Sequence, residues 1–151
     1  MFVLDTNIIS ELRKKTGANS NVVGWAARVP PSSLYLSAIT ILELETGILR
    51  IDRRDKVQGE RLRRWLQKSV LPAFEGRILP VDAAVAIRCA QLHVPDPRTE
   101  HDASIAATAL VHGMSVVTRN TDDFRGSGVK VLNPFISQLN EEPAQYVVTR
   151  V

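Results

Sequence analysis

The apolar positions of the chain fall into two alternating patterns. Short runs rich in β-branched residues, FVL at 2–4, LYLS at 34–37, RILPV at 77–81, SVVT at 115–118 and VKVL at 129–132, have the length and composition of buried strands. Between them, apolar residues recur at three- and four-residue spacing, which predicts helices near residues 6–13, 20–29, 38–51, 54–71, 81–93 and 101–112. VPPSS and HVPDPRTE read as proline-rich connections. Strands that alternate with helices point to an α/β fold with a mostly parallel sheet. The last stretch, SQLNEEPAQYVVTR, is polar and then β-like, and no pattern places it.

Composition narrows the class. A chain of 151 residues, 44% hydrophobic and 23% charged, is the size of one domain with a real core. No window approaches the roughly 18 apolar residues of a membrane span, and no charged-then-apolar leader occurs, so the expectation is a soluble, cytoplasmic protein without membrane contact. The single cysteine, Cys89, lies in an apolar helical pattern and fits a reducing compartment. Nineteen Lys and Arg against sixteen Asp and Glu give +3, which is compatible with a polyanionic partner without requiring one.

The candidate chemistry lies in the acids. Asp5 ends the first strand run, and in a parallel sheet the working crevice lies beyond the strands' carboxyl ends. Asp5 is equally well placed to cap the helix that begins at Thr6 or Asn7. In AITILELETGIL, Ile39, Leu42 and Leu49 form one apolar arc and Ile41, Leu44 and Ile48 another, which predicts a helix buried on two sides. Glu43 falls at the edge of the first arc, where an unpaired carboxylate is costly, so it requires a buried Arg or a metal ion. Glu45 falls between the arcs and reads as solvated. Asp102 follows Thr99 by three residues, a capping-box spacing that competes with a chemical role. Asn120, Asp122 and Asp123 follow the SVVT strand in a turn-like segment that fits an Asx-rich turn equally well. Four carboxylates gathered in one crevice repel unless a cation neutralises them, and all-oxygen donors suit Mg²⁺ or Mn²⁺. With so few His and Cys, zinc does not fit.

Taken together, LDTNIISEL, LSAITILELETGI, HDASIAATALVHG and VVTRNTDDF, in this order and spacing, resemble the PIN-domain ribonucleases, most closely the VapC and FitB type toxins of toxin–antitoxin pairs. The resemblance covers residues 1–135, leaving 136–151 as a C-terminal tail of unassigned role. It implies a three-layer α/β/α domain with a central, mostly parallel sheet of four to five strands. By that likeness Asp5, Glu43 and Asp102 match the metal-binding acids, and Thr6 and Asn7 complete the first motif. The fourth acidic position departs: many relatives carry Asp where this chain has Asn120, so the role falls to Asn120, to Asp123, or to both. The implied activity is Mg²⁺-dependent, or Mn²⁺-dependent, endonucleolytic cleavage of single-stranded RNA by an activated water in an in-line displacement. The implied partners are a cognate antitoxin, a second copy of the chain in a homodimer, and promoter DNA reached only through the antitoxin.

Outside the acids, RRDKVQGERLRRWLQK puts Arg61, Arg64 and Lys68 on one helical stripe opposite Leu62 and Leu66, a candidate RNA-contact face or simply a solvated one. Trp25 and Trp65 read as packing or interface residues, and His101 as a loop histidine without a role. Two other function classes compete. An Asp-nucleophile phosphatase fits DTN only loosely, because that class wants a second Asp where this chain has Asn7. A binding module that keeps the PIN fold without catalysis rests on Asn120 alone.

Overall fold

The computed structural model describes residues 1–136; the tail lies almost wholly outside this range. Five short strands, β1 (Phe2–Leu4), β2 (Leu34–Ser37), β3 (Ile78–Leu79), β4 (Ser115–Val117) and β5 (Val131–Leu132), form one all-parallel sheet in the order β3-β2-β1-β4-β5. In register, Val3 pairs with Tyr35 on one side and Val116 on the other, and Leu4 pairs with Val117. Because successive side chains point to opposite faces, these runs feed two cores at once. Leu4, Leu34, Leu36 and Val117 face one core, and Val3 and Val116 face the other. A strand covered on both faces needs apolar residues at every position, which is why the runs are continuous rather than alternating.

Helices α1 (Thr6–Leu12), α2 (Ser20–Arg28), α3 (Ala38–Asp52) and α4 (Lys56–Trp65) bury Ile8, Ile9, Val22, Trp25, Leu44, Ile48 and Leu62 in the first core. Trp25 packs edge-to-face on Phe2 with ring centroids 5.5 Å apart. The other face is covered by α7 (Glu100–Val111), which buries Ile105, Ala106 and Ala109 against Val3 and Val116 and packs on α6 (Ala83–Leu92). The layers are therefore helix, sheet and helix.

Three expectations need correction. The helix expected over 54–71 begins only after Asp55, whose carboxylate accepts the Gln58 N–H at 3.0 Å. It then widens over Leu66–Val70, where the Leu71 N–H reaches back five residues to the Leu66 carbonyl, and ends as a single turn, α5 (Leu71–Ala73). Pro72 explains the widening: it has no N–H to give and its ring crowds the carbonyl four residues back. Helix α3 is not buried on two sides. Leu44 and Ile48 are buried, but of the other arc only Ile39, at the start of the helix, packs on a core, while Leu42 and Leu49 are 48% and 51% exposed. Glu45 is partly covered rather than fully solvated.

Gly59 is where α4 crosses α3. A Cβ there would stand 2.7 Å from both Cα and Cβ of Asp52, closer than packed atoms can approach. Gly59→Ala is therefore expected to destabilise the domain by about 1–3 kcal/mol through overpacking, against the ~1 kcal/mol that alanine ordinarily gains in a helix. A thermal melt followed by circular dichroism checks the sign; a raised Tm would show that the two helices separate freely.

Candidate active site

The strand order reverses between β1 and β4: the chain winds outward from β1 through β2 to β3, then returns to β4 and β5. The crevice at such a switch point, beyond the carboxyl ends of the strands, is where open α/β sheets place ligands. Asp5 directly follows β1, and its own N–H donates to the Val117 carbonyl at 2.9 Å, which extends the β1–β4 ladder. Its side chain is 6% exposed and accepts three hydrogen bonds, from the Thr118 hydroxyl at 2.7 Å, the Thr6 N–H at 2.8 Å and the Asn7 amide at 3.2 Å. Asp5 thus caps α1 and lines the crevice together; the two readings are not exclusive.

Asn7 closes the arrangement. Its amide nitrogen also donates to Thr118 Oγ1 at 3.2 Å, and its Oδ1 accepts the Arg119 N–H at 3.1 Å. Thr118 is fully buried and accepts the Asn120 N–H at 3.0 Å. Sequence reading missed Thr118. The available signal was a hydroxyl at the end of an otherwise apolar strand, beside the strand that carries Asp5.

Glu43 projects from α3 toward the same place. The Thr6 hydroxyl donates to its Oε1 at 3.1 Å, and His101 Nδ1 lies 3.8 Å from its Oε2. The partners that the half-buried carboxylate requires are thus a hydroxyl and an imidazole, not an arginine. His101 stands in the first turn of α7 rather than in a loop. Asp102, one residue on, accepts the Thr99 hydroxyl at 2.5 Å. Thr99 is the N-cap residue, but its hydroxyl caps no backbone N–H, so the capping box is not formed.

After β4, Thr121–Phe124 forms one tight turn in which the Asp123 N–H donates to the Asn120 carbonyl at 3.1 Å. Asp122 is drawn off into an exposed ion pair with Arg125 at 2.6 Å. Asp123 makes its presence felt at Asp5. Burial pushes the Asp5 carboxyl above its ordinary value; the bonds from Thr118 and Thr6 oppose this, and the charges of Asp102 and Asp123 add to it. Glu43 is raised by burial as well, opposed by Thr6 and His101 and reinforced by Asp5 and Asp102. Asp5 thus feels the charges of Asp102 and Asp123, and Glu43 those of Asp5 and Asp102. The stripe residues Arg61, Arg64 and Lys68 do not join them; they line a separate groove.

The donor set is carboxylate and amide oxygen, which suits a hard divalent cation. Among the described residues no group of three or more His, Cys, Asp or Glu side chains is placed to hold a metal ion. Mg²⁺ binds through one or two carboxylates and keeps several of its waters. The match to that ion lies in the chemistry of these oxygen donors, not in a preformed ligand set.

The family model for the PIN domain matches residues 2–127. The chain belongs to the PIN-domain family. It is 40% identical to the toxin FitB of Neisseria gonorrhoeae, over 89% of this chain and 99% of that protein. It is 38% identical to the VapC ribonuclease Y4jK of Sinorhizobium fredii, over 89% of this chain and 98% of that one. A solved structure of FitAB bound to the IR36 DNA fragment aligns with 93% of this chain and 100% of its own, at 37% identity and a TM-score of 0.81. A toxin–antitoxin complex from Klebsiella pneumoniae aligns with 89% of this chain and 98% of its own, at 27% identity and a TM-score of 0.65. The three-layer architecture expected from the four motifs is the PIN fold, here with five parallel strands.

The raised carboxyls of this PIN domain carry a stability cost with a defined sign. Glu43 has a folded pKa above its unfolded one, so its ionised form penalises the folded state. The penalty is absent below the unfolded value and grows as pH rises through the folded one. Glu43→Gln keeps the acceptor for Thr6 and removes the charge. In chelator it is expected to raise Tm at pH 7.5 and to lose most of that gain at pH 4.5. An equal gain at both pH values, or none at pH 7.5, would remove the electrostatic explanation.

Proposed function

We propose that the chain is the toxin of a type II toxin–antitoxin pair and acts as a metal-dependent endoribonuclease on single-stranded RNA. The observation that supports this reading is the buried Asp5 beyond the end of β1, raised by burial with the charges of Asp102 and Asp123 added, and Glu43, raised by burial with those of Asp5 and Asp102 added. The ribonuclease and toxin names of the relatives support the substrate class and the role. Asp5, Glu43, Asp102 and Asp123 would hold the cation, Mg²⁺ or Mn²⁺, with Asn120 as an alternative fourth donor. When bound, that ion supplies an activated water and neutralises charge on the scissile phosphate.

The protein's part is positioning. Three donors fix Asp5 in one rotamer, and Thr6 links Asp5's helix to Glu43 by giving its N–H to one acid and its hydroxyl to the other. His101, half exposed beside Glu43, offers a ring nitrogen to an entering phosphate oxygen. No side chain need act as a covalent nucleophile, which separates this reading from the phosphatase one. We place the protein in the cytoplasm; none of the described helices is long and apolar enough to cross a membrane. The partners we assign are a cognate antitoxin, a second copy of the chain and, through the antitoxin alone, DNA; the solved complexes of relatives support the antitoxin and DNA assignments.

The purified chain, free of antitoxin, should cleave single-stranded RNA with Mg²⁺ or Mn²⁺ and leave 5′-phosphate and 3′-hydroxyl ends. Undiminished cleavage in EDTA would overturn the metal mechanism, and a phosphorylated Asp5 would favour the phosphatase. Asp5→Ala, Glu43→Ala and Asp102→Ala should each cost more than the ~10–100-fold typical of residues that only support a metal ligand. Thr118→Val, which keeps shape and removes the bond to Asp5, should fall within that ~10–100-fold range.

At the fourth position, Asp123→Ala should be nearly as damaging as Asp102→Ala, and Asp122→Ala close to neutral. Asn120→Asp should raise activity at low Mg²⁺ by adding a carboxylate beside the ion. Rate against free Mg²⁺ reads these cases apart; a harmless Asp123→Ala beside a crippled Asn120→Ala would move the role to Asn120.

A further inference from the structure

The C-terminal end of α1 and the outer face of α4 form a groove of about 750 Å³. Its walls carry six cations. Arg61, Arg64 and Lys68 come from α4 and the widened turn, and Arg13, Lys14 and Lys15 come from the segment that leaves α1. The stripe legible in the sequence is thus one wall of a two-walled feature. Two of the six have anionic neighbours: Lys14 pairs with Glu11 at 2.7 Å, and Arg64 with Glu60 at 3.4 Å. Between the walls lies Trp65, partly exposed, with the Arg13 guanidinium 5.6 Å from its ring centre.

This set has a specific chemical complement. A cationic groove lined by an aromatic ring is what grips a single nucleic-acid strand: the cations track phosphates, and a base packs on the part of Trp65 that the core and Arg13 leave open, with little sequence demand. The groove is also physically tied to the carboxylate pocket. Asp5 caps one end of α1 and Arg13 caps the other, and seven helical residues separate them, about 10 Å along the axis. A strand whose scissile phosphate lies at Asp5 therefore reaches Arg13 within a few nucleotides.

The geometry points to this groove as a binding track for single-stranded RNA that extends the cleavage site and holds the flanking phosphates away from the carboxylates. The inference rests on the ribonuclease reading for its substrate and adds where the rest of that substrate lies. Its test is kept separate from cleavage by working in EDTA with the full chain.

Binding of a fluorescein-labelled single-stranded RNA 12-mer is measured by anisotropy as a function of salt. The variants are Arg61→Ala/Arg64→Ala/Lys68→Ala, Arg13→Ala/Lys15→Ala and Trp65→Phe, each checked for an unchanged circular dichroism spectrum. Loss of three phosphate contacts should flatten the slope of log affinity against log salt by about 2, at about 0.7 per contact. The wild-type chain should show Trp65 fluorescence quenched by RNA, a signal that Trp65→Phe loses while buried Trp25 stays silent. With Mg²⁺ restored, the charge variants should raise KM and keep kcat.

Wild-type affinity and salt slope in both charge variants would overturn the track, whatever the cleavage assay shows. So would variants that bind RNA normally but lose affinity for polyglutamate, which would assign the groove to an acidic protein segment. An absence of cleavage by a chain that binds RNA through these residues would instead sink the catalytic reading and leave the track standing.

Discussion

The arrangement of this domain depends on one clasp, the Asp5 carboxylate held by Thr118, Thr6 and Asn7 where β1 and β4 end side by side. A carboxylate 6% exposed is expensive to bury, and it is tolerated because three donors replace its lost hydration. Those donors come from the first turn of α1, which follows β1, and from Thr118, which follows β4, so the clasp joins the two strand ends and fixes the crevice between them. Asn7 ties the start of α1 to the segment after β4 a second time by accepting the Arg119 N–H. Thr6 carries the clasp outward to Glu43, which brings α3 into register with the strand ends.

Small residues bring the remaining wall close. Helix α7 is buried mainly through small residues, Ala103, Ala106, Ala107 and Ala109, beside Ile105, so its backbone lies near the sheet and near α6. That approach is what sets Asp102 and His101, in its first turn, beside acids from β1 and α3. Larger residues at those alanines would push the helix out and weaken the contribution of Asp102 to the raised Asp5 and Glu43, which burial chiefly sets. The turn after β4 carries two acids with different surroundings: Asp122 pairs with Arg125, whereas the charge of the exposed Asp123 is felt at Asp5.

Much of this was legible in the sequence because it follows from local pattern. Continuous β-branched runs give strands buried on both faces, and every one of the five runs contains a strand of the sheet. The acids were legible as strand-end and helix-flank outliers in apolar surroundings. What was hidden depends on three-dimensional neighbours. Nothing in SVVT says that its threonine meets Asp5, because the pairing of β4 with β1 lies more than a hundred residues away in sequence. Periodicity showed two apolar arcs on α3 but not which one meets the sheet, and Leu42 and Leu49 face outward. Pro72 was visible, yet its effect, a widened turn rather than a stop, depends on packing that keeps the helix going through it.

A net charge of +3 conceals how the charges are sorted, and the sorting is the more telling quantity. Burial, with neighbouring negative charge added, raises Asp5 and Glu43 in the crevice, whereas the cations of the α1–α4 groove stand apart at the far end of the helix that Asp5 caps. If the two were mixed, each would neutralise the other as ordinary ion pairs, and neither a cation nor a phosphate would gain by entering. Held apart by a helix of seven residues, they keep opposite fields within the length of a short strand. On the proposed reading, a polyanion drawn to the groove would be repelled from the bare carboxylates, and a divalent ion in the pocket would reverse that repulsion. Affinity for such a polymer near the pocket would then be coupled to occupation of the pocket by metal. The burial and repulsion that raise Asp5 and Glu43 are what such an ion would relieve.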